Sequence, residues 1–167
     1  MSDAFPVVIY HNPACGTSRN VLAIIQAAGY APTGVEYLAT GWTRPQLLGL
    51  FAAAGLTPRD ALRTTKSPAA ELGLLDPSVG DEAILAAMVQ HPVLVNRPIV
   101  CTSRGVRLCR PSERVLDLLE RLPSDFVDEA LIGGKLKPAL AAKGIRHEML
   151  LRPNTRWTYF NMEDPVV

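Results

Sequence analysis

The sequence predicts an α/β protein built on one mixed sheet, and three observations carry the prediction. Four short apolar or β-branched runs, at 5–10, 35–38, 99–102 and 106–109, have the length of strands. The first two flank a segment of helical period, a strand–helix–strand unit that favours parallel pairing with a right-handed crossover. The last two are separated only by Ser103-Arg104-Gly105, a turn that makes them an antiparallel hairpin.

Each element follows from its own residues. The 5–10 run, FPVVIY, reads as a buried strand. After the turn HNPACGTS, the residues Val21, Leu22, Ile24, Ile25 and Ala28 recur at helical spacing until Gly29 stops them. Thr43 is placed to cap a second helix, with Pro45 in its first turn, Leu47, Leu48, Leu50 and Phe51 on its inner face and Gly55 at its end. Thr57-Pro58 and Ser67-Pro68 have the same cap-plus-proline form and predict two shorter helices. Asp81 begins another, with Ile84, Leu85 and Met88 inward, that stops before His91-Pro92. Beyond the hairpin, Pro111-Ser112 opens a last strong helix carrying Val115, Leu116, Leu118, Leu119 and Leu122.

The order β-α-β, helices, β-β-α is the thioredoxin-like plan with a helical insertion, about 43–91, between its halves. That plan occupies residues 1–122. Residues 123–167 hold four of the ten aromatics and six charges of each sign. They are expected to form a C-terminal extension that packs on the body rather than a second domain.

Composition bounds the function. The 167 residues are 48% hydrophobic and 20% charged with a formal charge of +1, so the chain can bury a core without disulfides or structural metal. Near-neutrality argues against a general binder of nucleic acid or membrane surfaces, which needs a large cationic face. No run approaches the length of a membrane span. The N-terminus has neither the basic nor the apolar region of a signal peptide. The chain is therefore expected to be cytoplasmic, where thiols stay reduced and a positioned cysteine is more often reactive than bridged. Thirteen of the seventeen basic residues are Arg, the side chain whose planar fork grips oxyanions.

Among the three cysteines, Cys15 stands out. It falls between the first strand and the helix that follows, where unpaired N–H groups and the helix dipole favour negative charge. Both effects lower a thiol pKa, and the same N–H groups bind oxyanions. His11 and Arg19, four residues to either side, are candidates to add positive charge. Cys101 is expected in the core. Cys109 adjoins Arg110 and so lies closer to the site, although adjacent side chains of an extended strand point to opposite faces. The histidines 11, 91 and 147 have no metal-like partners, so no metal site is expected.

Two thiol motifs fail informatively. Cys15-Gly-Thr-Ser18 has serine where a disulfide oxidoreductase has its second cysteine, and Val21 stands where a cysteine phosphatase loop has arginine. What remains is a monothiol at an anion-ready helix start, regenerated by a thiol from elsewhere.

HNPACGTSRN at 11–20, VNRPIV at 95–100 and RLCRPSE at 107–113, with DALR at 60–63 and QHP at 90–92, resemble in order and spacing the glutaredoxin- and glutathione-coupled arsenate reductases of the ArsC type. The resemblance spans about residues 6–120 and implies the thioredoxin-like fold with a helical insertion. It implies that Cys15 is the nucleophile that attacks arsenate, that Arg63, Arg97 and Arg110 bind the oxyanion, and that His11 assists thiolate formation. Gly16, Thr17 and Ser18 support the site, and Pro98 resembles the cis-proline that faces the cysteine. Arsenate is the implied substrate, glutathione the co-substrate and glutaredoxin the partner, with no bound cofactor. The division of labour is physically sound. A thiolate must approach an anion, and arginine forks offset the repulsion and stabilise the charge redistributed during attack.

Two other readings remain. A transcriptional regulator of the Spx type, which binds RNA polymerase, shares the fold but typically carries Cys-x-x-Cys and lacks the full arginine set. A monothiol reductase of the same fold with another substrate would use the same arginines on a different oxyanion.

Overall fold

Strand β1 (Val8–His11) is the hub of a four-stranded sheet of order β2-β1-β3-β4. The structure, a computed structural model, describes residues 5–121 and, beyond them, the backbone of two strands, His147–Leu151 and Trp157–Asn161. β1 runs parallel to β2 (Thr33–Glu36), with Ile9 opposite Gly34 and His11 opposite Glu36. It runs antiparallel to β3 (Ile99–Thr102), with Ile9 opposite Val100. β3 turns into β4 (Gly105–Leu108) through Ser103 and Arg104 alone, since Thr102 pairs with Gly105. Gly105 has φ +133°, a backbone that side-chain-bearing residues rarely adopt. The parallel and antiparallel pairings expected from the sequence both hold.

Successive residues of β1 and β3 point to opposite faces, and both faces are covered. On one side Ile9 and Val100 pack with Val21, Ile24 and Ile25 of helix α1 (Gly16–Ala27) and with Val115 and Leu116. On the other, Tyr10 and Ile99 meet Leu47 and Phe51 of α3 (Arg44–Ala54) and Ile84, Leu85 and Met88 of α4 (Asp81–Gln90). Apolar side chains meet both faces of β1, which is why Val8, Ile9 and Tyr10 do not alternate with polar residues. Each fully buried aliphatic side chain here contributes roughly 1.5–3 kcal/mol.

Helix α3 begins as expected. Thr43 accepts from the Gln46 amide, Gln46 returns the bond to the Thr43 amide, Pro45 sits in the first turn, and Gly55 ends the helix at φ 67°.

Several expectations are corrected. The second strand stops at Glu36, and Tyr37–Thr40 forms a short helix, α2. Leu48, expected inward on α3, is 44% exposed, because the buried face of α3 is a narrow stripe carried by Leu47 and Phe51. The segments after Thr57 and Ser67 make single turns instead of helices. Thr57 and Asp60 close the reciprocal bonds of a helix start. Arg59 then donates to the carbonyls of Leu74, Asp76 and Val79, at 3.4, 3.1 and 2.7 Å, and holds the 74–79 stretch without a helical ladder. The last strong helix is a 3₁₀ helix, Ser112–Leu118. At three residues per turn, Val115 eclipses Leu118 and Leu116 eclipses Leu119, so the apolar spacing fits this tighter helix equally well. Leu122 lies outside the described residues.

Cys101, expected in the core, does not lie there. Cys109 is fully buried in the core beside Val100 and Val115, and Cys101 is only partly buried.

β5 (His147–Leu151) and β6 (Trp157–Asn161) form a two-stranded antiparallel pair. The expected packing of residues 123–167 on the body otherwise falls outside the described residues.

Candidate active site

The loop between β1 and α1 is tied to itself before it reaches the cysteine. Asn12 accepts through Oδ1 from the Ala14 amide at 2.9 Å and through its carbonyl from the Cys15 amide at 2.9 Å. Ser18, fully buried in the first turn of α1, accepts from the Asn12 amide at 3.3 Å. Arg19 donates to the Pro13 carbonyl at 2.9 Å and so braces the loop. These bonds set Cys15 as the N-cap of α1, in extended backbone, buried at 8% exposure.

Burial raises the pKa of the Cys15 thiol. The Ser18 amide, the charge of Arg97, the Ser18 hydroxyl and the Thr17 amide together outweigh that effect and lower it from 9.0 to about 7. The sulfur closes no capping hydrogen bond, so the amides of Thr17 and Ser18 act on it as aligned helix-terminal dipoles. Near neutral pH a large fraction of Cys15 is therefore thiolate. Gly16 beside it is exposed and Thr17 is half-buried.

The arginines reach the site from three segments. Arg110, just past β4, places Nη1 4.0 Å from Cys15 Sγ and donates from the same nitrogen to the Arg97 carbonyl at 3.0 Å. Arg97 precedes β3, and the Arg97–Pro98 bond is cis, as the resemblance implied for Pro98. The Arg110–Pro111 bond is cis as well. Arg63 enters from the insertion. Its amide donates to the Leu94 carbonyl and the Asn96 amide donates to the Ala61 carbonyl, both at 2.8 Å, around a bridge between Leu62 and Val95. This stitching fixes Arg63 against the strap that carries Arg97. Burial and the neighbouring charge of Arg97 both lower the Arg63 pKa, and Cys15 and Arg110 are also within its electrostatic reach.

Arg97 carries a buried Nε–H with no protein partner. A buried donor left unpaired costs about 1–3 kcal/mol, and an oxyanion accepts from such a group while offsetting the repulsion among three clustered cations.

His11, at the end of β1, is nearly buried, and its Nδ1 has no partner. Its Nε2 lies 3.0 Å from where a Cβ on Gly34 would stand, so any larger residue there would press on the imidazole. The largest influences on the Cys15 thiol come from its burial, from Ser18, from Arg97 and from Thr17.

Tyr37 was not singled out by sequence reasoning. It is 1% exposed, stacks on Trp42 at 5.1 Å, and donates from its hydroxyl to the Val95 carbonyl at 3.3 Å. Burial raises its pKa, and Arg97, Arg63, Cys15 and Arg110 all act on it electrostatically. Its only sequence signal is an aromatic within the strand expected at 35–38, which does not separate a site residue from a core one.

Cys109 is unsuited to partner Cys15. Burial pushes its thiol up to about 12, and its sulfur contacts the Arg107 carbonyl. Among the described residues no cluster of three His, Cys, Asp or Glu side chains is placed to hold a metal ion, and no helix is long and apolar enough to cross a membrane.

Comparison with known proteins places this geometry in context. Residues 10–118 match the model of the ArsC family. An arsenate reductase of Synechocystis sp. is 73% identical over 118 residues, which is 71% of this chain and 84% of that protein. An arsenate reductase of Escherichia coli is 50% identical over 113 residues, 68% of this chain and 80% of its own. The solved structure of an arsenate reductase from Vibrio cholerae superposes with a TM-score of 0.66 at 41% identity, covering 70% of this chain and all of that one.

Proposed function

The chain belongs to the ArsC family, and from that premise we propose that it reduces arsenate to arsenite through the Cys15 thiolate, with glutathione and glutaredoxin supplying the electrons. The observation that carries the reading is Cys15 itself: a thiol lowered to about 7 at a helix N-terminus, with an arginine nitrogen 4.0 Å from its sulfur.

The chemistry follows from that pairing. Arg63, Arg97 and Arg110 neutralise the bound arsenate, and the thiolate attacks arsenic, forming an S–As(V) bond and expelling a protonated oxygen as water. Glutathione adds its sulfur to the same arsenic and a second oxygen leaves as water. A glutaredoxin thiolate then attacks the glutathione sulfur. The glutathione–arsenic bond breaks, its electron pair stays on arsenic as As(III), and a mixed disulfide carries away the oxidising equivalents. Hydrolysis of the remaining S–As(III) bond releases arsenite and restores Cys15. Ser18, where a second cysteine would stand, and the buried high-pKa Cys109 support external thiols over an internal disulfide. The reaction as written calls for no resident cofactor.

The test is arsenite production by purified protein with arsenate, glutathione, glutaredoxin, glutathione reductase and NADPH, leaving out each component in turn. Turnover is expected only with both thiols present. Arsenite formed at the full rate without glutathione or without glutaredoxin contradicts the proposed electron source.

A further inference from the structure

A cleft of about 400 Å³ adjoins the active site, lined among others by Asp60, Asn96, Arg107, Leu108, Arg110 and Arg114. Its size falls at the lower end of small-molecule sites, roughly 300–1,000 Å³. Arg110 belongs to both places: it lines the cleft, and its Nη1 stands 4.0 Å from Cys15 Sγ. A molecule in the cleft is therefore separated from the reacting sulfur by one arginine side chain.

The lining has a definite chemistry. Arg107 is already paired with Asp117 at 2.8 Å, and Arg110 donates to the Arg97 carbonyl. The Arg114 side chain, exposed at the start of the 3₁₀ helix, makes no hydrogen bond or ion pair among the described residues. Opposite charge is supplied by the Asp60 carboxylate, which accepts only from Thr57. Asn96 uses its Oδ1 on the Arg97 amide and keeps both N–H donors. Leu108 and the neighbouring Ala54 and Leu56 give an apolar floor. A lining that combines arginines, one carboxylate and an amide matches the groups of a zwitterionic peptide: carboxylates for the arginines, an α-ammonium for Asp60, a peptide bond for Asn96.

We propose that this cleft binds the small peptide thiol that regenerates Cys15, a thiol of the glutathione class. The assignment rests on the reading of glutathione as co-substrate. It places Arg114 as a specificity residue for the thiol, distinct from the arginines that hold the oxyanion.

The probe is S-methylglutathione, which has the recognition groups and no reactive thiol. Its binding to the full chain is read from backbone amide shifts, together with the KM for glutathione in turnover. Amide shifts are expected at Asn96, Leu108 and Arg114. Arg114→Glu should weaken S-methylglutathione binding and raise the glutathione KM at least tenfold, while Arg104→Glu, the same charge change at the hairpin turn, should do neither. Equal effects of the two variants, or shifts centred away from the cleft, overturn the assignment. So does intact glutathione-dependent turnover in a protein that does not bind S-methylglutathione, an outcome that leaves the co-substrate reading standing. Binding in the cleft that Arg114→Glu abolishes, with turnover indifferent to glutathione, upholds the cleft and overturns the co-substrate reading instead.

Discussion

Nη1 of Arg110 lies 4.0 Å from the sulfur of Cys15 and 3.0 Å from the carbonyl of Arg97, which it bonds. One nitrogen thus joins the nucleophile to the strap that carries the second arginine, and the rest of the guanidinium stays available as a fork.

The first prediction follows from that arrangement. Arg110→Ala should lower kcat/KM for arsenate by about one to two orders of magnitude, the equivalent of losing a charge-assisted contact of roughly 1.5–3 kcal/mol. Arg110→Lys should recover only part, because an ammonium is a point charge that cannot reproduce the planar fork. Steady-state kinetics at fixed thiol concentrations checks both.

The second concerns the thiolate. Iodoacetamide alkylation of Cys15 should titrate with a midpoint near 7. Arg97→Gln and Ser18→Ala should each move the midpoint up, since each removes a group that favours the ionised sulfur. His11→Gln should move it less than either, because Ser18 and Arg97 are the largest of the groups that lower the thiol. A His11 shift larger than the Arg97 shift would return the histidine to the activation of the thiol.

A third prediction links the cysteines to stability. Cys15 has a folded pKa below its ordinary value, so between pH 7 and 9 the unfolded chain binds more protons and stability rises with pH; that contribution is lost as pH falls through 7. Cys109 has the opposite sign. Burial raises it to about 12, so above pH 9 the unfolded thiol ionises, the folded one does not, and stability falls as pH climbs. Urea unfolding of Cys15→Ser should flatten the rise, and Cys109→Ala should flatten the fall.

The fourth tests the insertion. Thr43→Ala removes one side of the reciprocal cap on α3 and should cost about 1 kcal/mol, within the usual 0.5–2. The lowered stability should appear in thermal unfolding, while the Cys15 alkylation midpoint stays in place.

How much of this was legible in the sequence depended on whether local chemistry decided the outcome. Thr43, Pro45 and Gly55 bounded α3 correctly because a cap, a first-turn proline and a left-handed terminus are all local. Cys15 was legible because a thiol between a strand and a helix must meet the helix terminus. The turns after Thr57 and Ser67 were not, since their form depends on Arg59 reaching carbonyls fifteen to twenty residues away. Tyr37 and the cleft beside Arg110 were invisible for the same reason: they exist only where segments distant in the chain meet. Cys101, expected in the core, is only partly buried, because position in a strand fixes a face while what covers that face is tertiary.

The central claim is that Cys15 performs the chemistry and that its regenerating thiol comes from outside the chain. Arsenite production from arsenate, with glutathione and glutaredoxin present, measures it in three proteins: wild type, Cys15→Ser and Cys109→Ser. The account predicts no arsenite from Cys15→Ser, with the fold intact by circular dichroism, and most of the wild-type rate from Cys109→Ser. Arsenite from Cys15→Ser at a rate near wild type, or a Cys109→Ser protein as inactive as Cys15→Ser, would contradict it.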